Sequence, residues 1–256
     1  MLSPQALLRG LVSRIMPAMN PDSQNVDVAQ RFGRYGEGTV LSYIRKSHLL
    51  ADEGSYFIAN NAQTGALTNT GVAYSATAPV IIVQNQDSPG GKRLYLDYIN
   101  LITTAAGTDT AAGQIAVGLA IDNILRWSSG GSQLAAAVSP NMDLPLASVA
   151  VVYFGALTAI GASAKARLLV GQRTVRPVVS ATVVDVVGEQ KFFNFGGVEG
   201  GSQGNIVVAN ANVIPVPLPP VVIGPGHSAL FYIWFPNCTS VSPAPQYLPE
   251  IGWFER

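Results

Sequence analysis

The stretch Lys92-Arg93-Leu94-Tyr95-Leu96-Asp97-Tyr98-Ile99-Asn100-Leu101-Ile102 limits the fold more than any other part of the chain. It is entered through the turn residues Asp87-Ser88-Pro89-Gly90-Gly91. Unbroken alternation then places Leu94, Leu96 and Tyr98 on one side of the pleat and Tyr95, Ile99 and Leu101 on the other. Both sides are apolar, so neighbours must cover both faces. Such a segment belongs at the centre of a β-sandwich.

Shorter pieces repeat the theme. Strand patterns read at Tyr56 to Ala59, Pro79 to Asn85, Ser148 to Leu157, Thr174 to Ser180, Thr182 to Val187, Lys191 to Phe195, Asn205 to Ala209 and Ser228 to Phe235, with a last strand within Tyr247 to Arg256. Ile115, Val117, Leu119 and Ile121 alternate strictly with Gln114, Ala116, Gly118 and Ala120, the clearest period of two in the chain. Asp122-Asn123 reads as a hairpin turn into Ile124 to Trp127, closed by Ser128-Ser129-Gly130-Gly131. Residues 132–146 read as a long connection across one end of a sandwich. Ala162 to Leu169, bracketed by Gly161 and Gly171, fits either a helix or a strand. The four prolines of Val213 to Pro220 restrict that segment to an edge or a crossover. Short strands with almost no helix specify an all-β, jelly-roll-like sandwich over residues 47–256.

Residues 1–46 depart from this pattern. Ser3 and Pro4 suit a helix start, and Leu7, Leu8, Leu11, Val12 and Ile15 follow at helical spacing until Pro17. Beyond it, Asn20 to Gln30 and the Gly-punctuated Arg31 to Gly38 have no period and read as an extended arm. The apolar face of Leu7, Leu8, Leu11 and Ile15, with the cations Arg31, Arg34, Arg45 and Lys46, is a candidate for docking on a partner. An ordinary solvated tail accounts for the same residues. Arg9 and Arg14 break the apolar run, so neither a signal peptide nor a membrane span is expected, and no membrane partner.

Composition sharpens the expectation of partners. Charged residues make up 12% of the chain against about 25% in ordinary soluble domains, while hydrophobic residues make up 48%. A surface so short of charge exposes apolar patches or covers them with other subunits, which points to an assembly component. Formal net charge is zero, so no global field draws nucleic acid. The one cysteine, Cys238, excludes an intrachain disulfide and reads as a small buried hydrophobe.

No catalytic, cofactor-binding or metal-ligating set emerges. Gly226-His227-Ser228-Ala229-Leu230 imitates a nucleophile elbow, but Leu230 stands where a second glycine belongs and a strand follows instead of a helix. Gly90-Gly91-Lys92 resembles the end of a phosphate loop without its upstream glycine or its helix. Two histidines and scattered acids offer no short-spaced metal set. Tyr95, Phe192, Phe193, Phe231 and Trp234 could form a sugar platform, although their places in strands favour core packing. The expectation is a protein that is not an enzyme and carries no cofactor.

Several segments resemble virion structural proteins of tailed bacteriophages, the capsid decoration or cement proteins. They are Ala51 to Phe57, Asp87 to Tyr98, Arg126 to Gly131, Val221 to Ser228 and Glu250 to Arg256. The resemblance implies a jelly-roll-like body on the capsid surface that binds the major capsid protein and copies of itself, as a homotrimer, and resists expansion or rupture of the lattice. It supplies no catalytic residues. Two other readings fit the same sequence: a receptor- or carbohydrate-binding module of a tail or spike, and a jelly-roll major capsid protein.

Overall fold

A computed structural model describes residues 50–60, 66–67, 71–107, 115–134, 139–161, 167–176, 187–196, 213–236, 238 and 240–256. All of them belong to one compact unit, Arg45–Arg256. The expected helix and arm over residues 1–46 lie outside the described residues, and so do their docking candidates Leu7, Leu8, Leu11, Ile15, Arg31, Arg34, Arg45 and Lys46. The strands expected at Thr182 to Val187 and Asn205 to Ala209 fall outside them too, apart from Val187.

The described strands are β1 (Tyr56–Asn60), β2 (Ala66–Leu67), β3 (Ile81–Asn85), β4 (Leu94–Ala105), β5 (Ile115–Asp122), β6 (Trp127–Gln133), β7 (Ala150–Ala159), β8 (Arg167–Arg176), β9 (Gln190–Phe195), β10 (Val213–Leu218), β11 (Val221–Ile223), β12 (Ser228–Trp234) and β13 (Gln246–Glu255). They form two sheets. The first runs β1-β13-β4-β9-β10, with β2 beside β13 and β11 beside β4; the second runs β6-β7-β3-β12-β5-β8. Every pairing is antiparallel except β9 with β10.

Eight strands make the frame: β1, β3, β4, β5, β8, β9, β12 and β13. In that order, the first, eighth, third and sixth are neighbours in one sheet, and the second, seventh, fourth and fifth in the other. This is the wiring of a jelly roll, as the strand pattern implied. β6 and β7 widen the second sheet beyond β3. β10 adds the proline-bearing edge to the first, where a missing N–H costs no ladder bond on the open side.

β4 is central, as its apolar pattern required, but its two faces differ from simple alternation. Gly252 opposes Tyr98 while the next residue, Trp253, opposes Leu96, so Asp97 is the extra residue of a β-bulge. The bulge shifts the phase by one. Leu94, Leu96, Ile99 and Leu101 therefore all enter the core, and Tyr98 joins Tyr95 on the outer, half-buried face. Only one face of β4 is covered by the opposing sheet.

The hairpin expected at Asp122-Asn123 is not formed. β5 lies between β12 and β8, and Trp127–Gln133, including the Ser-Ser-Gly-Gly run, is a strand at the opposite edge beside β7. Arg126 secures this crossing. Its buried guanidinium meets Asp122 at 3.0 Å and donates to the carbonyls of Ile160, at 2.9 and 2.6 Å, and Ala76, at 3.3 Å. Gln84, with its amide oxygen turned toward the crossing, accepts from the backbone N–H groups of Arg126 and Trp127. Gly130 and Gly131 are bulge residues at φ +78° and +66°, and a Cβ on Gly131 would stand 2.7 Å from the Phe154 carbonyl oxygen. Of the two readings left open for Ala162 to Leu169, the strand holds from Arg167, where β8 begins and continues through Gly171.

Between the sheets, one core joins Phe57, Trp253, Leu101, Ile251, Val117 and Leu119 with Phe193 and Phe231. Phe193 and Phe231 meet edge to face across the two sheets at 4.7 Å. Each fully buried side chain of this size contributes about 1.5–3 kcal/mol. A second cluster, Ile82, Ala116, Ala120, Tyr153, Leu157, Leu230, Tyr232 and Trp234, covers the outer face of the second sheet. Residues 71–79 close over part of it. Tyr74 packs edge-on to Tyr232 and Trp234, the Tyr232 hydroxyl donates to the Ala76 carbonyl at 3.0 Å, and the Ala159 N–H donates to the Thr77 carbonyl at 2.9 Å. β12 is consequently buried on both faces, as expected.

Candidate interaction surface

Apart from Arg126 to Gly131, the segments that carry the resemblance meet at one end of the sandwich, where the Glu255 N–H also donates to the Ser55 carbonyl. Asn85, at the end of β3, donates to the carbonyls of Lys92 and Ile223 at 2.8 and 3.1 Å. Arg93 and Arg256 exchange backbone hydrogen bonds. The buried Glu255 carboxylate accepts from the Ser148 hydroxyl, the Val149 N–H at 3.1 Å and the Trp253 indole at 3.3 Å, and faces the Lys92 ammonium at 3.5 Å. These groups close loops onto strands.

The two motif-like stretches lie in the same region. Ser228 is the buried first residue of β12, and its hydroxyl donates to the Ile124 carbonyl at 2.7 Å. In the Gly90-Gly91-Lys92 turn, the Lys92 N–H points at the Asp87 carboxylate at 2.7 Å, and the Ser88 N–H reaches it at 2.8 Å. The Lys92 bond and then the Ser88 bond hold the Asp87 carboxyl below the usual aspartate range. An incoming phosphate would meet that carboxylate. Among the described residues no three His, Cys, Asp or Glu side chains cluster as a metal site, and no helix is long and apolar enough to cross a membrane. Cys238 is buried.

The outer face of the first sheet has a different character. Register sets Tyr56, Phe254, Tyr95 and Val222 in one row, Ile58, Gly252, Tyr98 and Asn194 in the next, and Asn60, Glu250, Asn100 and Phe192 in a third. Tyr95 stacks on Phe254 with centroids 4.8 Å apart, and Tyr98 on Phe192 at 5.4 Å. The Tyr56 hydroxyl donates to Asp97 at 2.8 Å and the Tyr98 hydroxyl to Glu250 at 2.7 Å. Burial, and then these carboxylates, push both phenol pKa values upward.

Gly252 makes the arrangement possible. A Cβ there would stand 2.3 Å from a Tyr98 ring carbon and 2.8 Å from the Tyr56 hydroxyl oxygen. Without one, the two tyrosines close over β13 from either side. Asp97 and Glu250 are the only charged residues that β1, β4, β9 and β13 present on this face. Lys191 of β9 is buried inward, 3.1 Å from the Thr103 hydroxyl and 3.5 Å from Glu189. The Asn100 side-chain oxygen is enclosed and has no hydrogen-bond partner among the described residues.

The five aromatics weighed as a sugar platform are not brought together. Tyr95 and Phe192 lie on this face, whereas Phe193, Phe231 and Trp234 are core residues. One face of Tyr95 and one face of Phe192 are covered by their stacking partners Phe254 and Tyr98. Sequence reading missed the pairing of Tyr56 with Asp97 and of Tyr98 with Glu250. Asp97, a lone charge within an apolar strand, was the available signal. A smaller apolar surface stands on the loop before β7, where Met142 is 90% exposed and Leu144 and Leu146 flank Gly54. No family model, curated protein or solved structure matches the chain.

Proposed function

We propose that this chain is a non-enzymatic structural protein of a virion, a decoration or cement protein that binds the major capsid protein and copies of itself on the capsid surface. The observation that supports the reading is the outer face of the first sheet: paired aromatics, few charges and side chains tied to one another on rigid strands. Such a face suits a broad protein contact. The number of copies, a trimer, comes from the resemblance.

Electron microscopy of the native particle tests the proposal. Density at lattice-wide positions supports decoration, whereas density confined to a tail or vertex supports the receptor-binding reading and refutes this one. The eight-strand wiring favours a jelly-roll major capsid protein as the second reading. A closed shell of this chain alone would establish it. A variant lacking residues 1–30 is expected to stay folded and to lose attachment in a co-sedimentation assay; unchanged affinity and salt dependence would make the arm a mere tail.

A further inference from the structure

We infer that the outer face of the first sheet, around Asp97 and Glu250, receives the basic segment Arg31-Phe32-Gly33-Arg34-Tyr35 of a second copy of this chain. The inference rests on the assembly reading above and names the contact that would build the assembly. Its starting point is a set of acceptors without enough donors. Asp97 and Glu250 each accept one tyrosine hydroxyl on one oxygen, which leaves the second oxygen of each carboxylate for an incoming donor. β1, β4, β9 and β13 present no lysine or arginine on this face to complement them.

The occupant must therefore bring positive donors, and it must also fit against the Tyr95–Phe254 and Tyr98–Phe192 stacks. Guanidinium groups meet the first need, with up to five N–H donors in a planar fork that matches a carboxylate. Aromatic side chains beside them meet the second. Arg31-Phe32-Gly33-Arg34-Tyr35 carries both kinds of group in alternation, in a part of the chain where cations exceed acids. Arg34 precedes Leu50, the first described residue, by 16 positions. Extended chain covers up to about 3.3–3.6 Å per residue, on the order of 50 Å in all.

The test uses the full-length protein in solution. Sedimentation velocity or native mass spectrometry measures the self-dissociation constant of D97N/E250Q and of R31Q/R34Q, each expected to be weakened about tenfold or more at low salt. R31K/R34K keeps charge but loses the bidentate fork and is expected to fall between. Mixing R34C and N194C, each made with Cys238 replaced by alanine, should give a disulfide-linked dimer of the two chains, since Asn194 stands opposite Tyr98 on the face. If D97N/E250Q fails to fold, the arginine variants and the cross-link still decide. An unchanged dissociation constant for R31Q/R34Q overturns the inference, as does the absence of any disulfide between R34C and N194C chains when the double variant R34C/N194C, in the same C238A background, links within one chain. Particle binding separates the two levels: R31Q/R34Q that self-associates normally and still binds particles refutes this contact and leaves the assembly reading standing.

Discussion

Replacing Arg126 with alanine tests how much a single buried guanidinium holds together. Arg126 is about 1% exposed and its partner Asp122 has a fully buried side chain, one oxygen of which already lacks a hydrogen-bond partner. Removing the cation leaves an uncompensated carboxylate in the interior, a change that costs about 3–5 kcal/mol. The Ile160 carbonyl loses two donors and the Ala76 carbonyl one. Each such bond adds roughly 0.5–1.5 kcal/mol, short of full additivity. Against a total stability of about 5–15 kcal/mol, a loss of at least about 4 kcal/mol brings the domain close to its unfolding limit. Urea unfolding followed by tryptophan fluorescence reads the loss. The double variant D122A/R126M, which removes both charges and keeps apolar volume, should be much less destabilised than the sum of D122A and R126A. A loss under about 1 kcal/mol in R126A, or strict additivity in the double variant, refutes the reasoning.

Gly252→Ala should destabilise the fold by about 1–3 kcal/mol, because the new methyl displaces Tyr98 and Tyr56; thermal unfolding measures it, and an unchanged midpoint shows that both rings move freely. The depressed Asp87 carboxyl contributes stability that is present above the unfolded-chain value near 4 and is lost as pH falls through the lower folded value. D87N should remove that component of the acid dependence, and a stability–pH curve identical to the wild type would contradict it. Tyr56 and Tyr98 behave oppositely. Their raised values keep the native hydroxyls protonated while the unfolded chain ionises near pH 10, so this contribution is full below about pH 10 and is lost as pH rises beyond it. Ultraviolet titration should find late-ionising phenols that include Tyr56, Tyr98 and the buried Tyr232, and Y56F and Y98F should each remove one of them.

The strand periods were legible because side-chain alternation is local: β5 with Ile115, Val117 and Leu119 inward, and β12 buried on both faces, follow from the residues alone. The edge role of β10 followed from its prolines. What failed was anything that depends on a partner strand. The bulge at Asp97 becomes visible only when β13 lies alongside, and with it went the assignment of Tyr98, Ile99 and Leu101 to faces. Asp122-Asn123 has turn chemistry, yet tertiary demand overrode it, because Arg126 satisfies Asp122 and two distant carbonyls only if the chain crosses the sheet. The polar, Gly-rich stretch before Pro79 gave no hint that Tyr74 covers Tyr232 and Trp234.

The two outer faces of the sandwich solve the same problem differently, and the difference bears on assembly. Apolar side chains on the second sheet are buried in part beneath residues 71–79 of the same chain, so that face carries its own cover. On the first sheet the large side chains other than the buried Tyr56 are only half-buried, yet they are fixed in place: two hydroxyl–carboxylate bonds and two ring stacks restrict the rotamers of Tyr56, Tyr95, Tyr98, Phe192 and Phe254. Immobilising a rotamer-rich side chain on binding ordinarily costs about 0.5–1.5 kcal/mol. Because these residues are already ordered in the free chain, a partner docking here meets less of that cost, and the apolar area it covers counts more fully toward affinity. Y98F tests this preorganisation apart from the charge: it keeps the ring and releases Glu250, so self-association should weaken mainly through faster dissociation. An unchanged off-rate would place the binding surface elsewhere.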